Sequence, residues 1–420
     1  MNGRRGTALH RNRVLYNHRV RILLLNLYFP PDTSATAKMA ATVAEALSKE
    51  HRVTILCGRP SYDPGERRPW RLWQTEQWNN CRVIRVGSTD YPRFVMKRRI
   101  LNYLSYVALA IPLSLFISCD VVLAMTDPPF AGIAGAIAAL LKRRPYVYNI
   151  RDFYPDMALG GSLIPPGRLH RIWEWLHRRA LGRARRVIVL GDDMRERIIS
   201  KGIDPARVVI VRDGAEISPQ KEVPSALDPE VTRAIREGFR FVLLHAGNLG
   251  FYGAWKTLIE GARKFAGKGI GLVFVGEGAQ LQELQLLANG AANVRLLPFF
   301  PGNKIPSVLA AADVHVITVK RGLEGVVVPS KLYGILAAGK PVLVVAPGEC
   351  DAARIAVKHN CGLVADPGRP EEFADAAFTL SRQPEKLQQM GAAARAAAAD
   401  YDRRKELNRF VEIMEQAQRP

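Results

Sequence analysis

The sequence predicts an α/β protein made of two doubly wound, Rossmann-like domains that face each other across a cleft. Three observations predict it. Apolar runs of strand length repeatedly end in a short loop and give way to a segment with helical spacing. That rhythm breaks at a polar, proline-bearing stretch after Val211 and then restarts. The 420 residues are enough for two large domains.

The elements follow in order. Residues 1–18, "MNGRRGTALHRNRVLYNH", lack the apolar core of a signal peptide and read as a loose basic arm. The first domain is expected over 19–215. It opens on "RVRILLLNLYF", a continuous apolar run typical of a strand buried on both faces. "SATAKMAATVAEALSKE" follows, with Met39, Val43 and Leu47 on one helical face. "HRVTILCG", "CRVIRVG", "CDVVLAM", "RPYVYNI" and "RRVIVLG" supply further strands. Residues 216–236 read as a linker. The second domain, 237–400, starts at "FRFVLLHAGNLG" and continues through "GLVFVGEG", "NVRLLPF", "ADVHVITV", "KPVLVVA" and "CGLVAD". A last helix in 401–420 lies beyond the second sheet and is placed to cross back to the first domain.

Composition narrows the function. The net charge of +21 points to nucleic acid, anionic membrane or phosphorylated small molecules as partners. No aromatic–basic signature or zinc-finger spacing supports nucleic acid. The five cysteines are scattered without a CxxC pair, so neither a zinc site nor a disulfide framework is indicated, and a reducing compartment is implied. Ile100–Ile117 is nearly long enough to span a bilayer and follows Lys97, Arg98 and Arg99. Asn102, Ser105, Ser114 and Pro112 dilute it. It is read first as a helix beside the sheet, with a membrane-spanning helix and a membrane-interface helix as the alternatives.

In doubly wound sheets ligands bind beyond the carboxyl ends of the strands, so the chemistry should lie in loops that follow strands. In the second domain, Gly247, Gly250 and Gly253 sit between a strand and a helix and permit close approach to a phosphate. Gly276, Glu277 and Gly278 repeat that arrangement, the acid being suited to a ribose or base, and the full GxGxxG of a hydride-transfer cofactor is absent. Phe299 and Phe300 close the next strand, one suited to a base contact and the other to the core. Pro329-Ser330-Lys331 should open a helix with Ser330 as its cap, ending at Gly339. Lys331 in a first turn is unfavourable without an anion, so Lys331 with Arg321 is expected to cradle a diphosphate. In the first domain, Asp32 and Thr33, then Asp127, then Arg151, Asp152, Tyr154 and Asp156 follow successive strands and could hold a hydroxyl nucleophile.

These motifs resemble the family 4 glycosyltransferases of the GT-B superfamily, in the bacterial branch for O-antigen and colanic-acid type polysaccharides. The resemblance rests on Gly247-Asn248-Leu249-Gly250, Gly276-Glu277-Gly278, Ala311-Ala312-Asp313, Pro329-Ser330-Lys331-Leu332-Tyr333, Ala338-Gly339-Lys340-Pro341-Val342, and Asp152 with Tyr154-Pro155-Asp156. It covers nearly the whole chain beyond the basic arm. It implies a retaining, metal-independent transfer from a nucleotide-sugar, with no cofactor, the second domain binding the donor and the first the acceptor. Catalytic roles then fall to Asp152, Lys331 and Arg321. Donor contacts fall to Gly247, Asn248, Leu249, Lys256, Gly276, Glu277, Gly278, Phe299, Glu324, Ser330 and Leu332. Acceptor contacts fall to Asp32, Thr33, Asp127, Arg151 and Tyr154.

The sequence departs from the family in one respect. The two glutamates of much of the family, with seven residues between them, fall here on Val326 and Gly334. Glu324 lies two residues early, and Lys256 three residues beyond an expected lysine near Gly253. The expected partners are a nucleotide-sugar, a lipid-linked saccharide and the inner-membrane surface, with a cytoplasmic, peripheral location. Arg168, Arg171, Arg178, Arg179, Arg183, Arg185 and Arg186 with Trp173 and Trp175 suit such a surface. A sugar-nucleotide 2-epimerase of the same superfold and an inactive membrane- or polymer-binding protein are the alternatives.

Overall fold

The structure, a computed structural model, describes residues 19–61, 69–91, 96–161, 164–216 and 227–419. The expected basic arm and residues 217–226 of the expected linker lie outside the described residues.

Fourteen described strands form two sheets. The first holds β1 (Arg21–Leu25), β2 (Arg52–Cys57), β3 (Trp73–Trp78), β4 (Cys81–Val86), β5 (Val121–Ala124), β6 (Tyr146–Asn149), β7 (Arg186–Val189) and β8 (Val208–Ile210) in the order β3-β4-β2-β1-β5-β6-β7-β8. The second holds β9 (Phe241–Ala246), β10 (Ile270–Val275), β11 (Val294–Leu297), β12 (Val314–Thr318), β13 (Val342–Val345) and β14 (Gly362–Ala365) in the order β11-β10-β9-β12-β13-β14. All pairings are parallel except that of β3 with β4. The sequence reading lacked β3 and β8. β3, "WQTEQW", alternates exposed and half-buried residues at a sheet edge and has no apolar run. β8 has only three residues.

β1 and β9 are buried along nearly their whole length, as strands covered by helices on both faces must be. Each sits at a switch point. From β1 the chain runs outward to β2 and then returns to place β5 on the other side; from β9 it runs to β10 and β11 and returns to β12. The loops after β1, β5 and β6 therefore lie side by side, as do those after β9, β10 and β12.

Residues 229–236, read as linker, form a helix, Pro229–Arg236, capped by Asp228. Its Val231 and Ile235 are fully buried against Val242 and Leu244 of the second sheet. Helix Arg403–Gln418 places Phe410, Ile413 and Met414 in the core of the first sheet, with Ile22 and Leu24. Its entry is stitched to the end of the first domain: Ala215 N–H donates to the Tyr401 carbonyl at 2.6 Å, and Arg403 N–H to the Ala215 carbonyl at 2.9 Å.

Helix Met96–Leu115 contains all but the last two residues of the apolar segment Ile100–Ile117. It buries Tyr103, Tyr106, Ala110 and Ser114 on the sheet side. Among the described residues no helix is long and apolar enough to cross a membrane.

Candidate active site

The loops after β9 and β10 are tied by backbone hydrogen bonds, at an approach so close that only glycine fits. Gly247 N–H donates to the Val275 carbonyl, and Gly276 N–H to that of Leu297, each at 2.9 Å. A Cβ on Gly276 would stand 1.9 Å from the Gly247 carbonyl oxygen. Gly247 also has a φ of +143°, which side chains resist. The turns after β9 and β10 are thereby pressed together at the sheet edge.

Beneath Gly247 lies Lys331, at the start of helix Lys331–Ala337. Its Nζ is 2.9 Å from Nε2 of His245. His245 Nδ1 faces the Val316 carbonyl at 3.1 Å and so carries the ring hydrogen. Nε2 is then a lone pair accepting from the ammonium. Burial holds His245 well below the usual imidazole pKa, with Lys331 reinforcing it. Burial also lowers Lys331 itself from 10.5 to about 7. Among the described residues no carboxylate lies within ion-pair distance of Lys331. His245 had no role in the sequence reading. A polar residue inside the apolar strand "FVLLHA" was the available signal.

Across the cleft, Arg151 N–H donates to Thr126 Oγ1 at 2.7 Å and Leu27 N–H to the Asp127 carbonyl at 2.7 Å, tying together the loops after β1, β5 and β6. Asp152 makes an antiparallel bridge with Val327 of the second domain, and Phe153 N–H donates to the Val326 carbonyl at 3.0 Å. Burial, then the nearby Asp127, raise the Asp152 carboxyl to about 6. Tyr252 of the second domain is close enough for its hydroxyl to feel Asp152. Burial likewise raises Asp127, with a Thr36 hydrogen bond opposing. Lys331 under its glycine turn and Asp152 thus belong to facing edges of one cleft.

Several sequence-selected residues stand elsewhere. Arg321 is 65% exposed and binds Asp366 at 2.5 Å, so it does not join Lys331 beneath Gly247. Lys256 is 74% exposed and faces Glu260. Ser330 makes no side-chain cap, because its own backbone is already helical. Leu249 and Leu332 are fully buried and offer a ligand only backbone. The Glu324 carboxylate folds back on Gly322 N–H at 2.7 Å. Asp32 is buried and accepts from Ser61 N–H at 3.0 Å, and the helix start there is capped by Ser34. Arg151 gives one Nη to both oxygens of Asp213, at 2.6 and 2.7 Å. Asp156 is engaged by Arg197 and Lys201. Asn248, Glu277 and Phe299 are exposed at the rim, and Phe300 packs into the core. Thr33 is exposed, and the Tyr154 ring stacks on Trp173 at 5.8 Å. Val326 is fully buried at the domain contact, so a glutamate there would meet the Phe153 backbone.

Two Rossmann-like domains with mainly parallel sheets, joined at the loops after their strands, have the GT-B architecture. Family comparison agrees. The family model described as "Glycosyl transferase 4-like domain" matches residues 34–214, and that described as "Glycosyl transferases group 1" matches residues 234–397. The chain belongs to the family 4 glycosyltransferases. It is 22% identical over 341 residues to WcaI of Escherichia coli K12, named for glycosyl transfer in colanic acid biosynthesis; the match covers 78% of this chain and 83% of WcaI. It is 26% identical over 263 residues to WbjE of Pseudomonas aeruginosa, named as a glycosyltransferase, covering 61% and 64% of the two chains. Its fold is similar to that of Alr3699/HepE of Anabaena, solved with UDP and glucose: TM-score 0.67, 18% identity, 94% of this chain and 100% of the other.

Proposed function

We propose that this glycosyltransferase moves a sugar, with retention at the anomeric carbon and without a metal, from a nucleotide-diphosphate sugar to a lipid-linked saccharide at the cytoplasmic face of the membrane. The observation that carries the donor half is Lys331. It is a desolvated ammonium whose partner is a neutral imidazole, below a turn open to a phosphate. A diphosphate leaving group gains negative charge as the glycosidic bond breaks, and a preorganised cation stabilises that charge. Anion binding would in turn offset the burial that depresses Lys331. Retention and independence from metal come from the family resemblance. The UDP bound to HepE makes a nucleoside diphosphate a reasonable first donor fragment.

The membrane half rests on three neighbouring helices of the first domain, Met96–Leu115, Ala131–Lys142 and Arg168–Arg183. They expose Leu101, Leu104, Leu140, Leu141, Ile172 and Trp175. Arg171, Arg178, Arg179 and Arg183 are exposed among them. Apolar and tryptophan side chains with arginine suit the interface of an anionic bilayer.

Val326 and Gly334, in place of two acids, favour the reading of an inactive membrane- or polymer-binding protein. The deciding experiment is a panel of nucleotide-sugars tested by thermal shift, followed by transfer to a lipid-linked acceptor in vesicles. The anomeric configuration of the product would be read by NMR. A nucleotide-sugar should raise the melting temperature, and product should form with the donor's configuration. Stabilisation without product, across donors and acceptors, would leave the binder.

A further inference from the structure

The sequence placed Arg99 with Lys97 and Arg98 in a basic flank facing lipid. The structure separates them. The Lys97 side chain lies outside the described set. Arg98 is exposed, with its guanidinium 5.7 Å from the Tyr91 ring centre. Arg99 turns inward. Its Nε is fully buried and has no hydrogen-bond partner.

The surroundings of Arg99 are unusual for a structural arginine. Its guanidinium lies 5.4 Å from the Tyr103 ring centre. Tyr28 hydrogen-bonds to it, and Asp127 and Tyr154 are its other close neighbours. Among the described residues no carboxylate comes within ion-pair distance. Tyrosine rings recover part of the cost of burying a cation, but a guanidinium has five N–H donors in a fixed fork. A partly buried charge without an ion-pair partner is costly, and a ligand anion would supply the partner. Asp127 and Asp152 are near enough to act on the Arg99 charge, and their carboxylates would repel an anion that strayed from the guanidinium toward them.

The position says what carries the anion. Asp127, Asp152 and Tyr154 belong to the loops after β5 and β6, the edge opposite Lys331. One and two residues beyond Arg99, Ile100 and Leu101 are exposed, Leu101 on the apolar face described above. An anionic group at Arg99 would lie at the acceptor edge and beside that apolar face. We infer that Arg99, with the hydroxyls of Tyr28 and Tyr103, binds a phosphate group joining the acceptor sugar to its lipid. This rests on the reading that the first domain binds a lipid-linked acceptor. It makes Arg99 a specificity-determining residue, and the guanidinium fork suits bidentate phosphate contact.

The test uses a ten-carbon prenyl diphosphate as the acceptor-side probe and isothermal calorimetry on the full chain. Affinity should fall about tenfold or more in Arg99→Gln, as expected for loss of a charge-assisted contact. It should stay within about twofold in Lys331→Ala and be partly kept in Arg99→Lys. The neutral prenyl alcohol should bind wild type and Arg99→Gln alike. A probe that binds Arg99→Gln as tightly as wild type, or loses affinity in Lys331→Ala instead, overturns the inference. Far-UV circular dichroism and melting temperature verify that Arg99→Gln is folded, and Arg99→Lys decides the case if it is not. Because no turnover is read, failure here is distinct from failure of a nucleotide-sugar to bind or react.

Discussion

Replacing Lys331 by methionine should make the ligand-free protein more stable and the enzyme nearly inactive. The reason is the ammonium's environment. Burial lowers its pKa from 10.5 to about 7. Each pKa unit corresponds to about 1.4 kcal/mol, so the charged form costs the folded state about 5 kcal/mol at most, and about 1–4 kcal/mol after partial solvation. Methionine fills similar space without the charge. The sign follows from proton counting. Between about pH 7 and 10 the unfolded lysine binds more protons than the folded one, so wild-type stability from this group rises with pH across that window. Lys331→Met should flatten that slope. Turnover should fall about two to three orders of magnitude, as when a donor to developing charge is lost. The assays are urea denaturation from pH 6 to 10 and initial rates with the donor found by thermal shift. Near-normal turnover in Lys331→Met would refute the assignment. So would a ligand-free variant destabilised by several kcal/mol, which would make Lys331 a structural residue.

The same groups set the pH profile. If Asp152 must be ionised and Lys331 charged, kcat/KM should fall below about pH 6 and above about pH 7, and the upper limb should move to higher pH in kcat once the diphosphate is bound. A kcat/KM that is flat from pH 5.5 to 8 refutes both roles. Asp152→Asn should lower turnover and leave nucleotide-induced thermal stabilisation intact; loss of both would place Asp152 in the donor site or in the fold. Gly276→Ala should abolish that stabilisation and cost about 1–3 kcal/mol, since its Cβ would meet the Gly247 carbonyl. Replacing the exposed Arg171, Arg178, Arg179 and Arg183 by Glu should release the protein from anionic vesicles at low salt without unfolding it, each charge contributing about 1 kcal/mol. Wild-type protein that fails to co-sediment with those vesicles ends the membrane proposal.

What the sequence determined by itself was everything periodic or local. Continuous apolar runs disclose strands covered on both faces, so β1 and β9 were legible; β3 was not, because a half-exposed antiparallel edge lacks that signature. Glycines between strand and helix marked the turns where backbones meet. The tertiary structure decided which charged side chains turn inward. Lys331 and Arg321 are ten residues apart and equally basic, yet Lys331 is drawn under Gly247 to a neutral His245 while Arg321 swings out to Asp366. Arg98 and Arg99 are adjacent and part in the same way, because successive helix residues point about 100° apart and only one faces the cleft. The choice depends on how much water each charge loses and which partners the fold supplies. Both are set by strand order and domain contact, which neighbours in sequence do not encode.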